Sequence, residues 1–221
     1  AIPANLVAQV LAQARAGATR FRRPWVGMTG QAVDAGLAEA MGMALPQGVV
    51  IAELHPASPL AAQGLRPGDT ILAVAGELVN SVPEMMFRLA ALGLGGEAEI
   101  EVRRRDRVER LRLALAPPPE SPARDRLDLR GGPLRGLSAE TVNPAVAEEW
   151  DLPPGLPGVV AVGAQDIAQR AGLRPGDVVT AVNRRPVTNT RDLDRALREP
   201  ARFWEIEFVR QGQRSVLRYR L

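Results

Sequence analysis

The 221-residue sequence contains no cysteine. Disulfides, thiolate nucleophiles and thiolate metal sites are therefore excluded. It also contains no lysine, so all 28 cationic residues are arginine, set against 25 acidic ones. With one tyrosine and no lysine or cysteine, almost nothing loses charge below the arginine range. This inflates the isoelectric point to about 10.6, although the net charge is only +3. The charge is not the footprint of a nucleic-acid binder, and no nucleic-acid partner is expected. Aromatic residues make up 4% of the chain, so its cores must be built from Val, Leu, Ile, Ala and Met. The single histidine, His55, lies in Glu53-Leu54-His55-Pro56 and reads as a solvated turn. One histidine without cysteine does not make a zinc site, and a Ser-His-Asp triad needs a histidine held by an acid. Phosphate-binding glycine signatures are absent, so neither a cofactor nor a metal is expected. No apolar run approaches the ~20 residues that span a bilayer, and no signal-peptide pattern is visible.

What the sequence does contain is a repeat. Residues 64–75 read GLRPGDTILAVA and residues 172–183 read GLRPGDVVTAVN. A spacing of 108 residues in a 221-residue chain points to an internal duplication with two domains of about 100 residues. Gly64 and Gly172 suit helix C-termini. Arg-Pro-Gly-Asp is turn chemistry in which the aspartate bonds nearby backbone N–H groups. The apolar run after each copy reads as a buried strand.

The remaining elements follow in order. Residues 1–18 form a helix with Leu6, Val7, Val10, Leu11 and Ala14 on one stripe, Pro3 in its first turn and Gly17 at its end. So short a helix needs a body to pack on. Residues 19–24 are a basic link, and 25–30 a glycine turn entering a strand. Residues 35–41 read as a short helix, 48–54 as a strand and 58–63 as a helical turn capped by Ser58. After the first repeated strand comes an amphipathic helix over 81–92, with Ser81 and Glu84 spaced as a capping box. A hairpin over 98–104 and 108–115 completes the first half. Its tip, Arg103-Arg104-Arg105-Asp106-Arg107, reads as solvated. Residues 116–126, APPPESPARDR, form a Pro-rich linker. The second half replays the first: a glycine turn at 134–138, a helix at 143–149, a strand at 158–163, a helical turn at 166–171, the repeated loop and strand, a helix at 190–198 capped by Thr190, and a hairpin over 203–210 and 214–220. Each half is thus an α+β unit.

This order of elements, with Gly-Leu-Arg-Pro-Gly-Asp before a buried strand, resembles bacterial PDZ domains, and specifically the tandem PDZ region of HtrA/Deg-type serine proteases. Ala1-Ile2-Pro3-Ala4-Asn5 with its helix is similar to the end of that family's trypsin-like domain, and Arg23-Pro24-Trp25-Val26-Gly27 to its junction with the first PDZ domain. The resemblance implies the protease-domain helix and linker over 1–22, a first PDZ domain over 23–116, a linker over 117–127 and a second PDZ domain over 128–221. Each PDZ-like module would be a small antiparallel, partly open β-barrel or sandwich with two helices. The resemblance also implies a mode of action. A peptide C-terminus adds a strand beside the amphipathic helix, and its carboxylate rests on successive loop N–H groups.

Carried onto this sequence, the first loop is Trp25, Val26, Gly27 and Met28. Met85, Met86 and Leu89 supply the helix wall, and Ile71 or Leu72 the pocket floor. Methionine suits a pocket that adapts to varied peptides. The second loop is Leu134, Arg135, Gly136 and Leu137. Arg135 replaces an expected apolar residue, either weakening the pocket or holding a carboxylate, and a docking or assembly surface is the alternative role of the second module. Gly131-Gly132-Pro133-Leu134 is similar to the tail of the trypsin-like nucleophile motif, but the serine is missing, so no catalytic residue is expected in this chain. The implied partners are unfolded or C-terminal segments of substrate proteins and an upstream protease domain, in the periplasm or cell envelope. A non-catalytic scaffold built on the same PDZ pair is the alternative.

Overall fold

The two apolar runs that follow the repeated loop become the central strands of two separate sheets. The structure is a computed structural model that describes residues 4–18 and 20–220. The chain divides into two units between Pro118 and Pro119. The first contains α1 (Ala4–Arg15), β1 (Met28–Ala32), α2 (Ala35–Ala40), β2 (Val49–Leu54), α3 (Pro59–Ala62), β3 (Thr70–Val74), β4 (Glu77–Leu78), α4 (Val82–Leu92), β5 (Glu97–Arg104) and β6 (Arg107–Ala114). Its antiparallel sheet runs β1-β2-β3-β5-β6, with β4 beside β3. The second contains β7 (Leu127–Asp128), β8 (Leu137–Thr141), α5 (Pro144–Glu149), β9 (Val159–Ala164), α6 (Asp166–Arg170), β10 (Val178–Val182), β11 (Arg185–Pro186), α7 (Thr190–Arg198), β12 (Phe203–Arg210) and β13 (Gln213–Arg220). Its sheet runs β13-β12-β10-β9-β8-β7, with β11 beside β10. The fold is α+β, as expected, with two sheets of open order. The expected place of Pro3 lies outside the described residues.

The aliphatic composition decides how each unit is filled. In the first, Ile51, Leu60, Ile71, Met85, Leu89, Ile100 and Leu113 are fully buried in one cluster. Each contributes roughly 1.5–3 kcal/mol by leaving water. In the second, Leu134, Leu137, Leu173, Leu193 and Ile206 do the same around Trp204. The outer strand of each hairpin alternates between inward and exposed residues, as a half-buried strand must.

The repeated loop is a structural clamp. Asp69 accepts the Arg66 N–H at 3.0 Å, and Asp177 accepts the Arg174 N–H at 2.7 Å. Each aspartate also holds an arginine from the end of the neighbouring strand, Arg104 on β5 or Arg210 on β12. The same guanidinium donates to the Gly64 or Gly172 carbonyl, at 2.9 and 2.8 Å. The aspartate bond to Arg210 raises that guanidinium's pKa further. Turn, helix end and strand end are thereby locked together twice over.

Several expectations change. The cluster Arg103–Arg107 is not wholly a solvated tip, because Arg103 donates to the Met41 and Gly42 carbonyls and Arg104 belongs to the clamp. Asn189, not Thr190, caps α7, accepting the Asp192 N–H at 3.0 Å. An amide oxygen and a hydroxyl are both good caps, and neighbouring candidates are not separable from sequence. Helix α1 packs against α4, yet Val7, Val10 and Leu11 remain exposed. Its contacts with the first unit include polar ones: Gln13 exchanges two 2.7 Å bonds with the Arg22 backbone.

Candidate functional site

The loop 25–28 is built by fixing its carbonyls. The Trp25 N–H donates to the Ala116 carbonyl at 2.9 Å, pinning the loop entrance to the end of the hairpin. The Val26 carbonyl accepts the Ser58 hydroxyl at 2.5 Å, and the Gly27 carbonyl accepts the His55 N–H at 2.8 Å. Ser58 also caps α3 through the Leu60 N–H at 3.0 Å. With both carbonyls engaged, the Val26 and Gly27 N–H groups find no acceptor among the described residues. Successive free N–H groups form a concavity suited to an anion. Gly27 has φ +59°, and a Cβ there would lie 2.6 Å from the Trp25 ring and 3.1 Å from the Ser58 Cβ. Only glycine fits without displacing the indole. His55 is a turn residue: its Nδ1 accepts the Ala57 N–H at 3.1 Å, and its ring meets Trp25 edge-on at 5.4 Å.

The loop leads directly into β1, whose other edge carries no strand among the described residues. A bulge at Thr29/Gly30 sits beside it. Helix α4 packs alongside β1. Its start is capped as the sequence predicts, with Glu84 N–H donating to the Ser81 hydroxyl at 3.2 Å. The Glu84 carboxylate returns to the Asn80 N–H at 2.9 Å rather than to Ser81 itself. That backbone bond, followed by Arg88, holds the Glu84 carboxyl below the usual carboxylate range.

Val26, Ile71, Met85 and Leu89 join one buried cluster, with Met28, Val82 and Met86 half-buried at its margin. Met85 and Leu89 are each only 1% exposed and so belong to the core. Leu72 stands apart from that cluster: its Cδ2 would meet a Cβ at Gly48 at 3.1 Å. Trp25 is half-buried over Gly27. Two contributors were not anticipated. Ser58 was legible as a cap, but not its reach across 32 residues to Val26. Val82 completes the margin.

The second loop repeats the framework with different contents. The Gly136 carbonyl accepts the Gln165 N–H at 3.0 Å, matching Gly27 and His55. Gly136 has φ +88°, and a Cβ would sit 2.4 Å from the Gln165 carbonyl oxygen. Leu134 and Leu137 are fully buried in the core. Arg135 is turned to Asp166, which also binds Arg170 at 2.7 Å. These bonds lower the Asp166 pKa, Arg135 contributing most. The decisive difference is at the strand edge. The Gly136 N–H donates to the Leu129 carbonyl at 2.8 Å, and β7 lies along β8. The Pro-rich stretch therefore ends docked on the second sheet, which composition alone did not reveal. Among the described residues, no group of three His, Asp or Glu is placed to hold a metal, and no helix is long and apolar enough to cross a membrane.

Residues 26–115 and 158–203 each match the family described as PDZ domain. The second match begins beyond the loop 134–137. Over 229 residues the chain is 28% identical to a probable periplasmic serine endoprotease DegP-like from Pseudomonas fluorescens, an alignment covering 100% of this chain and 47% of that protein. A protein of the same description from Halomonas elongata is 28% identical over 210 residues, covering 90% of this chain and 42% of its own. The chain thus spans about half the length of the curated relatives it matches. A solved structure described as HtrA-type protease AlgW with decapeptide overlaps 53% of this chain and 37% of its own, at 29% identity and a TM-score of 0.43.

Proposed function

This chain belongs to the PDZ-domain family, and from that premise we propose that it is the tandem PDZ region of an HtrA/DegP-like serine protease, whose first unit captures the C-terminus or an extended apolar segment of a substrate protein. The incoming chain adds to the free edge of β1. Its carboxylate rests on the Val26 and Gly27 N–H groups, and its apolar side chains lie between β1 and α4 over Met28, Val82 and Met86. The observation that carries this reading is the coincidence, at one end of one strand, of an open edge and two unengaged N–H groups. Trp25, Val26 and Gly27 shape the anion site. Ile71, Met85 and Leu89 support it from the core, and Leu72 does not take part.

Binding in this groove delivers substrates to, or regulates, a serine endopeptidase domain upstream, in protein quality control in the periplasm. The exposed stripe of Val7, Val10 and Leu11 on α1 gives such a body an apolar surface to cover. Fluorescence anisotropy with a labelled peptide ending in a free apolar residue tests the proposal. A carboxylate on two N–H groups makes charge-assisted bonds worth about 1.5–3 kcal/mol. Amidating the peptide therefore weakens binding roughly 10- to 100-fold. Equal binding of acid and amide overturns the carboxylate site.

A further inference from the structure

The two units repeat the same strands with one addition: β7 has no counterpart among the described residues of the first unit. It pairs with β8 along the edge that β1 leaves free, setting Leu127 opposite Ala139 and Asp128 opposite Ser138. The next residue continues the ladder. The Leu129 N–H donates to the Leu137 carbonyl at 2.8 Å, and the Leu129 carbonyl accepts the Gly136 N–H at 2.8 Å. Gly136 is the residue equivalent to Gly27, as the matched bonds to Gln165 and His55 establish. Leu129 therefore stands where the last residue of a bound peptide meets the loop, and Leu127 stands two residues before it. Their side chains are partly buried against the core, while Arg126, Asp128 and Arg130 face solvent. That alternation is the signature of an added strand with one face inward.

Both flanks of the segment are fastened. The Thr141 N–H donates to the Arg124 carbonyl at 2.6 Å. The Arg124 guanidinium reaches Glu149 and Glu120, with Glu140 at 3.4 Å. Asn143 donates to the Pro122 carbonyl at 2.8 Å. On the other side, the Tyr219 hydroxyl donates to the Pro133 carbonyl at 2.7 Å. The Ser138 hydroxyl bonds the Asp128 carboxylate and, ahead of Arg126, holds its pKa low.

We propose that residues 127–129 are a tethered internal ligand in the second groove, with Leu129 in the place of a peptide's last residue and Leu127 in that of its third-last. This rests on the peptide groove proposed for the first unit, carried to the second through the equivalence of Gly136 and Gly27. A chain that displaces the tether carries apolar residues at its last and third-last positions, and its free carboxylate takes over the Gly136 N–H. A short tether holds its segment at an effective concentration on the order of millimolar. Against an intrinsic dissociation constant of about 0.1 mM, the tether weakens a free competitor roughly tenfold.

Hydrogen exchange read by mass spectrometry over residues 136–141 of the whole chain tests this. The probe is a synthetic peptide with the sequence of residues 123–129, Ala-Arg-Asp-Arg-Leu-Asp-Leu, ending in a free carboxylate. In a Leu127→Asp/Leu129→Asp variant, exchange across 136–141 accelerates at least tenfold, and millimolar peptide restores the protection. In the unaltered chain the same peptide changes little. A retained cooperative urea transition of the second unit shows that the variant's core is intact. Should that variant fail to fold, Arg124→Ala loosens the strap from outside the core, and exchange rises with the same peptide rescue. Unchanged exchange in folded variants overturns the tether. Exchange that rises but is restored by no peptide overturns the ligand assignment and the peptide-groove reading of the second unit, while leaving the docked segment in place.

Discussion

Raising the pH from 8 to 11.5 perturbs one side chain almost alone, because the sequence has a single tyrosine and neither lysine nor cysteine. Tyr219 lies on β13, and its hydroxyl donates to the Pro133 carbonyl at 2.7 Å, one residue before the second loop. Burial of the phenol pushes its pKa up to about 12. In the unfolded chain it titrates near 10. Between those values the folded state holds a proton that the unfolded state has lost. Its contribution to stability is therefore constant below pH 10 and is lost as pH rises toward 12. Two units at 1.36 kcal/mol each set a ceiling of about 2.7 kcal/mol. Tyr219 is only half-buried, so solvent screening reduces the expected loss to roughly 1–2 kcal/mol. Absorbance at 295 nm follows the phenolate directly, without assignment ambiguity. Urea unfolding at pH 8, 9.5 and 11.5 follows the stability, and Tyr219→Phe flattens its pH dependence. A phenol titrating at its ordinary value, or a slope that survives Tyr219→Phe, refutes the reasoning.

Other substitutions separate core from groove. Asp177 has a 1% exposed side chain and holds Arg210 at 2.7 Å, whereas Asp69 is 10% exposed and holds Arg104 at 3.3 Å. Asp177→Ala leaves a tightly bonded guanidinium unpaired and destabilises the second unit by about 3 kcal/mol, while Asp69→Ala destabilises the first by about half as much; denaturant unfolding measures both. Gly27→Ala combines about 1 kcal/mol of left-handed backbone strain with the loss of a similarly sized Trp25–His55 contact. In a Trp25→Ala background only the strain remains, and an additive double-mutant cycle contradicts the crowding at this loop. Met86→Glu lowers peptide affinity at least tenfold with stability changed by less than about 1 kcal/mol, because Met86 lies at the margin. Leu89→Ala destabilises by about 2–5 kcal/mol, because Leu89 is core; anisotropy and urea titration distinguish the two.

Most elements were legible because their signals are local. The repeated Gly-Leu-Arg-Pro-Gly-Asp located both central strands. Ser58, Ser81 and Asn143 sit where side-chain caps belong. The strand β7 was hidden because Arg126-Leu127-Asp128-Leu129-Arg130 is too short and too charged to register beside a proline run. Its apolar alternation becomes meaningful only when β8 stands next to it. The clamp arginines, Arg104 and Arg210, were illegible for the same reason: each meets its aspartate more than 30 positions away. Within the first site, helical spacing identified Met85, Met86 and Leu89 together but not which face meets the groove. Burial separates Met86 from the other two. Ile71 and Leu72 are adjacent on a strand whose every residue is buried, so alternation gave no means of choosing between them.

The central claim is that a peptide carboxylate sits on the first loop while its backbone extends β1. Heteronuclear correlation spectra of the 15N-labelled chain, titrated with a free-acid peptide and its amide, test it at single residues. Saturable shifts of the Val26 and Gly27 amides and of residues along β1 are expected, with the loop shifts lost on amidation. Shifts confined to other surfaces, or loop shifts identical for acid and amide, contradict it.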